Sequence, residues 1–258
     1  MKFHVFYSIV ILTMTSSNLF AQHAGDLEFG YDSLAAPTSF VIESTDFTSD
    51  GFLYFESEME ELDPFNPGDF SSDEPGFTTN DGEGLLVNEG DQIWLNAVDA
   101  SSRSTFGVGY VNYYDPTSGT LTSLGRLGIY DNSGSTSDLI LSGGSIESGP
   151  NTQFIGLGDV DGDVHDHLIV DLLDDATAPN GAYGVMFELQ SDFSAADGTM
   201  DLTSDAFWIV WNHGMSDADF DSLALPAFGV SAVPEPGSLS LLAFGVPALV
   251  LRRRRKRA

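Results

Sequence analysis

The densest group of chemically reactive side chains lies in the run GDVDGDVHDHL at residues 158–168. His165 and His167 are two residues apart, so on a β-strand both would project from one face and could hold one ion. Asp163 and Asp166 lie beside them and offer carboxylate ligands. Neutral imidazole nitrogens suit Zn²⁺, Cu²⁺ or Ni²⁺. The spacing therefore predicts a zinc-type site, against the ordinary alternative that both histidines only face solvent.

The same run allows a second interpretation, a calcium loop. Asp159, Asp161 and Asp163 fall at positions 1, 3 and 5 of an oxygen-rich calcium-binding loop. The glycine that such a loop needs at its sixth position is Val164, and the glutamate at its twelfth is Val170. Calcium therefore stays an alternative to zinc.

Two further histidines remain after removal of a signal peptide. His23 lies near the expected mature N-terminus, and His213 lies in the sequence Asn212-His213-Gly214. If the fold brings them to the His-x-His pair, an imidazole-rich zinc site forms. We treat both as additional candidate ligands.

No sequence motif indicates a familiar enzyme. The chain lacks a Gly-x-Ser-x-Gly elbow, a His-Glu-x-x-His helix, a phosphate-binding Gly-Lys loop and a dinucleotide fingerprint. It has no cysteine, which excludes disulfides, thiolate zinc fingers and iron–sulfur clusters. Paired carboxylates for glycoside cleavage stay open as an alternative, because any pair is unremarkable among 39 acids. We expect a non-catalytic protein.

Short runs that alternate or are continuously apolar predict the elements that must position these residues. They are separated by turn sequences such as Asn66-Pro67-Gly68 and Pro179-Asn180-Gly181, and no fixed-period repeat is present. We predict an all-β fold, an antiparallel β-sandwich or jelly-roll-like domain at residues 22–224. The predicted strands are Leu27–Tyr31, Phe52–Phe55, Gln92–Val98, Phe106–Tyr114, Leu127–Tyr130, Leu139–Leu141, Phe154–Leu157, Leu168–Leu173, Tyr183–Leu189 and Phe207–Trp211.

Two aromatic strands leave a further function open. Phe106–Tyr114 and Phe207–Trp211 are rich in rings that either pack in the core or form a sugar-stacking face. The second arrangement would make the domain a carbohydrate-binding module with extracellular polysaccharide as its partner.

The charge of the chain is divided unevenly. The segment from Gln22 to Leu251 contains all 39 Asp and Glu residues. Its only basic residues are Arg103 and Arg126, so its net formal charge is −37. Such a surface repels nucleic acid and anionic lipid, because both bind proteins through Lys and Arg. The 42% of apolar residues still suffices for a core, and the carboxylates must lie outside it. We expect an exterior that faces salt and divalent cations.

Both ends of the chain predict export. Residues 1–21 resemble a secretory signal peptide, with a charged start at Lys2, an apolar stretch and a small residue at the expected cleavage site after Ala21. Cleavage after Ala24 is the alternative.

The C-terminal part begins with residues 225–232, which are expected to be a linker. The tail at 233–258 then contains an apolar run, Leu239–Leu251, and six consecutive basic residues. As a helix this run spans about 20 Å, so it predicts a short transmembrane segment with the basic block in the cytoplasm.

The combination of Pro234-Glu235-Pro236, a short apolar helix and an arginine cluster resembles the PEP-CTERM sorting signal of Gram-negative bacteria. The same tail is sometimes called an ice-binding protein C-terminal domain, a name that does not establish ice binding. The resemblance implies that an exosortase recognises Pro234, Glu235 and Pro236 at the inner membrane. It also implies that the protein is sent to the cell surface or extracellular matrix.

The body resembles a group of secreted PEP-CTERM proteins, some of which are controlled by the zinc-uptake repressor. The similarity rests on HDHLIVDLL, APNGAYGVMFELQSD and DAFWIVWNHGMS, with DEPGF at residues 73–77 as a weaker element. Ala206 and Trp211 depart from the group's usual Pro and Phe. The resemblance implies the fold and the location, with metal binding as an inference.

We predict that the melting temperature of the secreted domain rises with ionic strength. Its carboxylates repel one another, and salt shortens the Debye length from about 30 Å at roughly 10 mM to about 3 Å at roughly 1 M. Thermal melts at these two concentrations of NaCl measure the effect. Equal melting temperatures would show that self-repulsion does not limit stability.

Overall fold

The computed structural model describes residues 26–230, apart from 45–46, 62–69, 132–137, 174–177 and 195–199. β-strands make up most of this part of the chain, and helix is confined to a few short turns. The prediction of an all-β fold is confirmed. The expected signal peptide and the PEP-CTERM-like tail both lie outside the described residues.

The described residues contain strands of two to fourteen residues. The first nine are β1 (Leu27–Tyr31), β2 (Phe40–Glu43), β3 (Leu53–Glu58), β4 (Glu60–Glu61), β5 (Phe70–Ser72), β6 (Phe77–Thr78), β7 (Gln92–Val98), β8 (Val111–Asp115) and β9 (Thr120–Thr122). The others are β10 (Arg126–Asp131), β11 (Leu139–Ser142), β12 (Ile146–Ser148), β13 (Thr152–Leu157), β14 (His165–Asp166), β15 (Leu168–Leu173), β16 (Gly181–Ser194), β17 (Met200–Thr203) and β18 (Phe207–His213). Helical turns are a 3₁₀ turn at Ala100–Ser102, α1 (Asp217–Asp219), a π turn at Phe220–Ala224 and α2 (Leu225–Ala227).

The strands form three sheets. The small sheet has the order β14-β6-β1-β2, and the middle sheet has the order β12-β11-β10-β15-β5-β4. The large sheet has the order β13-β7-β16-β18-β3, with β8, β9 and β17 attached through β16. Because β16 is fourteen residues long, it pairs with β7 and β8 along one edge and with β18 and β17 along the other.

Two pairings depart from a purely antiparallel sandwich. β1 lies parallel to β6 in the small sheet, and β3 lies parallel to β18 in the large sheet. Parallel neighbours need a long crossover between them, and both pairs join strands that are far apart in the sequence. The N-terminal strands are therefore inserted beside later parts of the chain, which no local sequence pattern reveals.

The main core lies between the sheets and is apolar throughout. Every sheet contributes side chains that are completely buried, such as Phe29 from the small sheet, Ile129 from the middle sheet and Phe187 from the large sheet. Burial of such side chains contributes roughly 1.5–3 kcal/mol each. This core holds the strands on which the candidate ligands lie.

A second core covers the outer face of the large sheet, and it corrects the expected linker at 225–232. Leu225, Phe228 and Val230 are buried, and the Phe228 ring lies edge-on to Trp208 with the centroids 5.5 Å apart. Gly184 makes room, because a Cβ there would come within 2.3 Å of the Phe228 ring. Residues 225–230 belong to the folded domain, since their apolar side chains cover Trp208.

The structure also corrects the sugar-stacking interpretation of the aromatic strands. All seven residues of β18 are buried, with Phe207 and Trp208 completely so. In the other run, Tyr113 and Tyr114 are buried as well. These rings pack in the two cores, because one core lies on each face of β18.

Carboxylates lie outside the cores, as the charge balance predicts. Asp131 is the one acidic residue that is buried in the part of the chain that the structure describes. Both arginines of the domain make ion pairs, Arg103 with Glu188 at 2.9 Å and Arg126 with Glu147 at 2.8 Å. The remaining acids therefore depend on water and on neutral donors.

Asp50 shows how a carboxylate is held without a basic partner. Its Oδ1 accepts a hydrogen bond from the Thr48 hydroxyl, and its Oδ2 accepts from the Ser104 hydroxyl and the Thr105 amide, at 2.7, 2.7 and 3.0 Å. Burial raises the pKa of Asp50, but these hydrogen bonds outweigh it and lower the pKa from 3.8. Asp50 thus ties the turn after residue 48 to the segment after the 3₁₀ turn.

We expect Asp50→Asn to lower the free energy of unfolding by about 1–2 kcal/mol at neutral pH, because hydrogen bonds to a charged acceptor are lost. A pKa that is lowered by folding stabilises the protein above the unfolded pKa, and this contribution disappears as the pH falls through the folded pKa. Urea unfolding near neutral pH and at about pH 3 should therefore show the difference from wild type shrinking in acid. Asp81→Asn, at an exposed turn position, is the control. An equal loss in the control, or a difference independent of pH, contradicts this assignment.

Candidate metal centre

The small sheet brings the two histidines beside the first strand. β14 pairs with β6, so that His165 lies opposite Thr78, and β6 in turn pairs with β1. Asp26 directly precedes β1, and His167 directly follows β14. Three short pieces of chain from distant parts of the sequence therefore place Asp26, His165 and His167 together at one edge of the fold.

The three side chains point their donor atoms at a common position. His165 Nε2 lies 3.3 Å from His167 Nε2 and 3.4 Å from Asp26 Oδ2, and His167 Nε2 lies 3.7 Å from Asp26 Oδ1. Zinc bonds of about 2.0–2.1 Å in tetrahedral geometry put neighbouring ligand atoms roughly 3.3–3.4 Å apart. The 3.3 and 3.4 Å separations match the edge of a zinc tetrahedron, whereas the 3.7 Å contact of His167 is to the other oxygen of the Asp26 carboxylate.

A backbone carbonyl fixes the orientation of His167. Its Nδ1 lies 2.9 Å from the carbonyl oxygen of Asp73. Since a carbonyl only accepts, Nδ1 carries the hydrogen and Nε2 presents its lone pair to the cluster. Metal-binding histidines are usually oriented by such a second hydrogen bond.

The electrostatic surroundings favour positive charge on His167. Burial lowers its pKa, but the hydrogen bond to the Asp73 carbonyl and the negative charges of Asp26, Glu74 and Asp73 raise it, and the net pKa lies above 6.5. The same field favours any cation at this position. In the metal-free protein a proton therefore competes with a metal ion for His167.

The cluster is open to solvent on one side. The His165 side chain is 62% exposed, whereas those of His167 and Asp26 are 30% and 28% exposed. Three protein ligands with an open fourth position are typical of zinc sites that keep a water or another exchangeable ligand.

The other predicted zinc ligands lie elsewhere. His213 is buried, with its ring centroid 4.4 Å from that of Phe70 and 6.1 Å from that of Tyr183, so it belongs to the core. Asp166 Oδ1 accepts the His167 amide at 2.8 Å and does not join the cluster. Asp163 likewise does not join it, and His23 lies outside the described residues.

The predicted calcium loop forms a tight turn in the structure. Asp159 Oδ1 accepts hydrogen bonds from the amides of Asp161 and Asp163, at 2.8 and 2.9 Å. These bonds lower the pKa of Asp159 from 3.8. Gly162 completes the turn with a φ of +86°. Asp159, Asp161 and Asp163 are not among the groups of described residues whose ligand atoms lie within 4.8 Å of one another.

Sequence reasoning did not find Asp26. A single acid before an apolar strand is inconspicuous among 39 acids, and only the parallel pairing of β1 with β6 brings it to the histidines. The role of the Asp73 carbonyl was equally hidden, because a backbone acceptor has no sequence signature.

A second group of possible ligands consists of carboxylates alone. Glu28, Glu43 and Glu83 present oxygens within 4.8 Å of one another, and Asn80 donates to Glu28 at 2.9 Å. A hydrogen bond with Glu83 and then burial raise the pKa of Glu43. Oxygen ligands of this kind suit hard cations such as calcium.

Comparison with known proteins identifies the C-terminal tail. Residues 232–256 match the family model of the PEP-CTERM protein-sorting motif. The chain carries a PEP-CTERM sorting signal. The signal makes this an exosortase-sorted, exported protein whose tail associates with the membrane, and Pro234, Glu235 and Pro236 lie within the matched residues. No curated protein and no solved structure matches the chain.

The PEP-CTERM tail and the described domain are separate parts of the sequence. Within residues 26–230, as far as they are described, no helix is long and apolar enough to cross a membrane. The predicted membrane segment Leu239–Leu251 lies outside the described residues and stays a prediction.

We expect the His167 imidazole of the metal-free protein to titrate above 6.5, and Asp26→Asn to lower its pKa because a nearby negative charge is removed. A raised folded pKa stabilises the protein below the unfolded pKa, and this contribution is lost as the pH rises through the folded pKa. NMR titration of the histidine Cε1 protons measures both values. Asp163→Asn is the matched control and should leave the pKa of His167 unchanged. No change with Asp26→Asn would refute the electrostatic contact.

Proposed function

We propose that this exported protein captures a divalent transition metal, foremost zinc, at the cell surface or in the extracellular matrix. Asp26, His165 and His167 are the proposed ligands, and His23 is a candidate for the fourth position. The observation that carries the proposal is that two imidazole nitrogens lie 3.3 Å apart and that each lies within 3.7 Å of an oxygen of the Asp26 carboxylate.

The charge of the domain supports metal capture. A net charge of −37 between Gln22 and Leu251 attracts cations and raises their concentration near the surface. The carboxylate of Asp26 adds negative charge at the site itself. Imidazole ligands then give the selectivity for d-block metals that a carboxylate surface alone lacks.

The proposed role is binding without a reaction. The sequence contains none of the familiar catalytic motifs beside the three ligands.

A second candidate is a structural or adhesive matrix protein that associates loosely with calcium. The carboxylates of Glu28, Glu43 and Glu83 favour it, because hard cations prefer oxygen ligands.

We expect the protein, purified without chelator, to contain one zinc ion per chain. The double variant His165→Ala/His167→Ala removes both imidazole ligands and should contain none. Elemental analysis combined with a protein assay gives the stoichiometry.

The double variant Asp159→Asn/Asp161→Asn serves as the control, since it alters the neighbouring turn and leaves the three ligands intact. It should retain zinc. The proposal is wrong if wild-type protein lacks stoichiometric zinc after dialysis against the metal. It is also wrong if the His165→Ala/His167→Ala variant retains zinc. Calcium as the sole bound metal would favour the matrix role.

A further inference from the structure

Gly76 lies between two of the proposed ligands. Strand β6 runs between β1 and β14. Phe77 of β6 pairs with Leu27 of β1 on one side and with Asp166 of β14 on the other. One residue further along, the same register places Gly76 between Asp26 and His167. Neighbouring strands are about 4.8 Å apart, so the two ligands start roughly 10 Å from each other and meet only by leaning over the residue between them.

A side chain at position 76 would fill the space where the ligands meet. A Cβ on Gly76 would lie 2.5 Å from Asp26 Oδ1, 2.5 Å from His167 Cε1 and 2.8 Å from His167 Nε2. Carbon atoms do not approach other side chains so closely without a shift.

The backbone itself does not require glycine at this position. Gly76 is absent from the glycines with positive φ, in contrast to Gly162 at +86°. Its carbonyl accepts the Leu27 amide at 2.7 Å, a bond that any residue could make. The need for glycine is therefore one of space at the ligand cluster.

We infer that Gly76 is a determinant of metal binding, because its missing side chain allows Asp26 and His167 to approach within 3.7 Å and share one ion. The inference rests on the proposed function and adds a residue that donates no ligand. The atoms that a Cβ would meet are the ends of two side chains, not backbone. Alanine at position 76 therefore displaces the ligands while the sheet stays paired.

The ligands that meet over Gly76 also bear on the choice of ion. Two of the three are imidazole nitrogens, which suit Zn²⁺. Calcium takes six to eight oxygens at about 2.3–2.6 Å and disfavours imidazole. The ligand set thus favours zinc over calcium.

The test compares Gly76→Ala with Gly144→Ala in the full secreted chain. Gly144 is the matched control, because the nearest atom to a Cβ there is Ser123 Oγ at 3.9 Å and its φ is not positive. Zinc affinity is measured by competition with a chromophoric chelator. The melting temperature is measured in excess chelator, so that it reports the metal-free fold.

We expect Gly76→Ala to weaken zinc binding at least about 10–100-fold, the range in which disturbed ligand orientation costs affinity. Its metal-free melting temperature should equal that of wild type, and Gly144→Ala should match wild type in both measurements. A large molar excess of calcium should not displace the zinc.

Each contrary result has a distinct meaning. Wild-type zinc affinity in Gly76→Ala, or a variant that no longer melts cooperatively, overturns the role of Gly76 while zinc binding by wild type still supports the proposed function. Displacement of zinc by calcium overturns the selectivity. Absence of zinc binding in wild type and control alike removes the proposed function itself.

Discussion

The shortage of basic side chains governs how this domain holds its acids. Both arginines are already paired, so the other carboxylates must find donors in water, in hydroxyl groups or in backbone amides. Asp50, Asp115 and Asp159 do so at turns, and hydrogen bonds lower the pKa of each, in Asp50 against the effect of burial. In this way acids that cannot form ion pairs stabilise the turns between strands.

The candidate metal centre follows the same rule. Asp26 has no arginine or lysine to pair with, and it faces two imidazoles instead. The frame that holds these groups is slight, since β6 and β14 are two residues long. An ion shared by the three side chains would join β1 to β14 across β6, where the backbone makes few hydrogen bonds.

Local patterns predicted much of the fold but only half of the candidate site. The strands β1, β7 and β15 have the predicted bounds, because each is a compact apolar or alternating run between turn residues. The two-residue strands β6 and β14 are too short to show any period. The pair of histidines was visible from its spacing, whereas Asp26 and Gly76 join it only through long-range register. Residues 225–230 escaped prediction because a short apolar segment with a proline resembles a linker until Trp208 is seen beneath it.

The second core has a consequence for sorting. Val230 is buried and bridges to Thr48, and the Gly229 carbonyl accepts the Ser49 amide at 2.7 Å. The sorting motif begins at residue 232, so at most a few ångströms of chain separate it from packed residues. The sorting signal therefore follows the packed residues of the second core almost directly in the sequence.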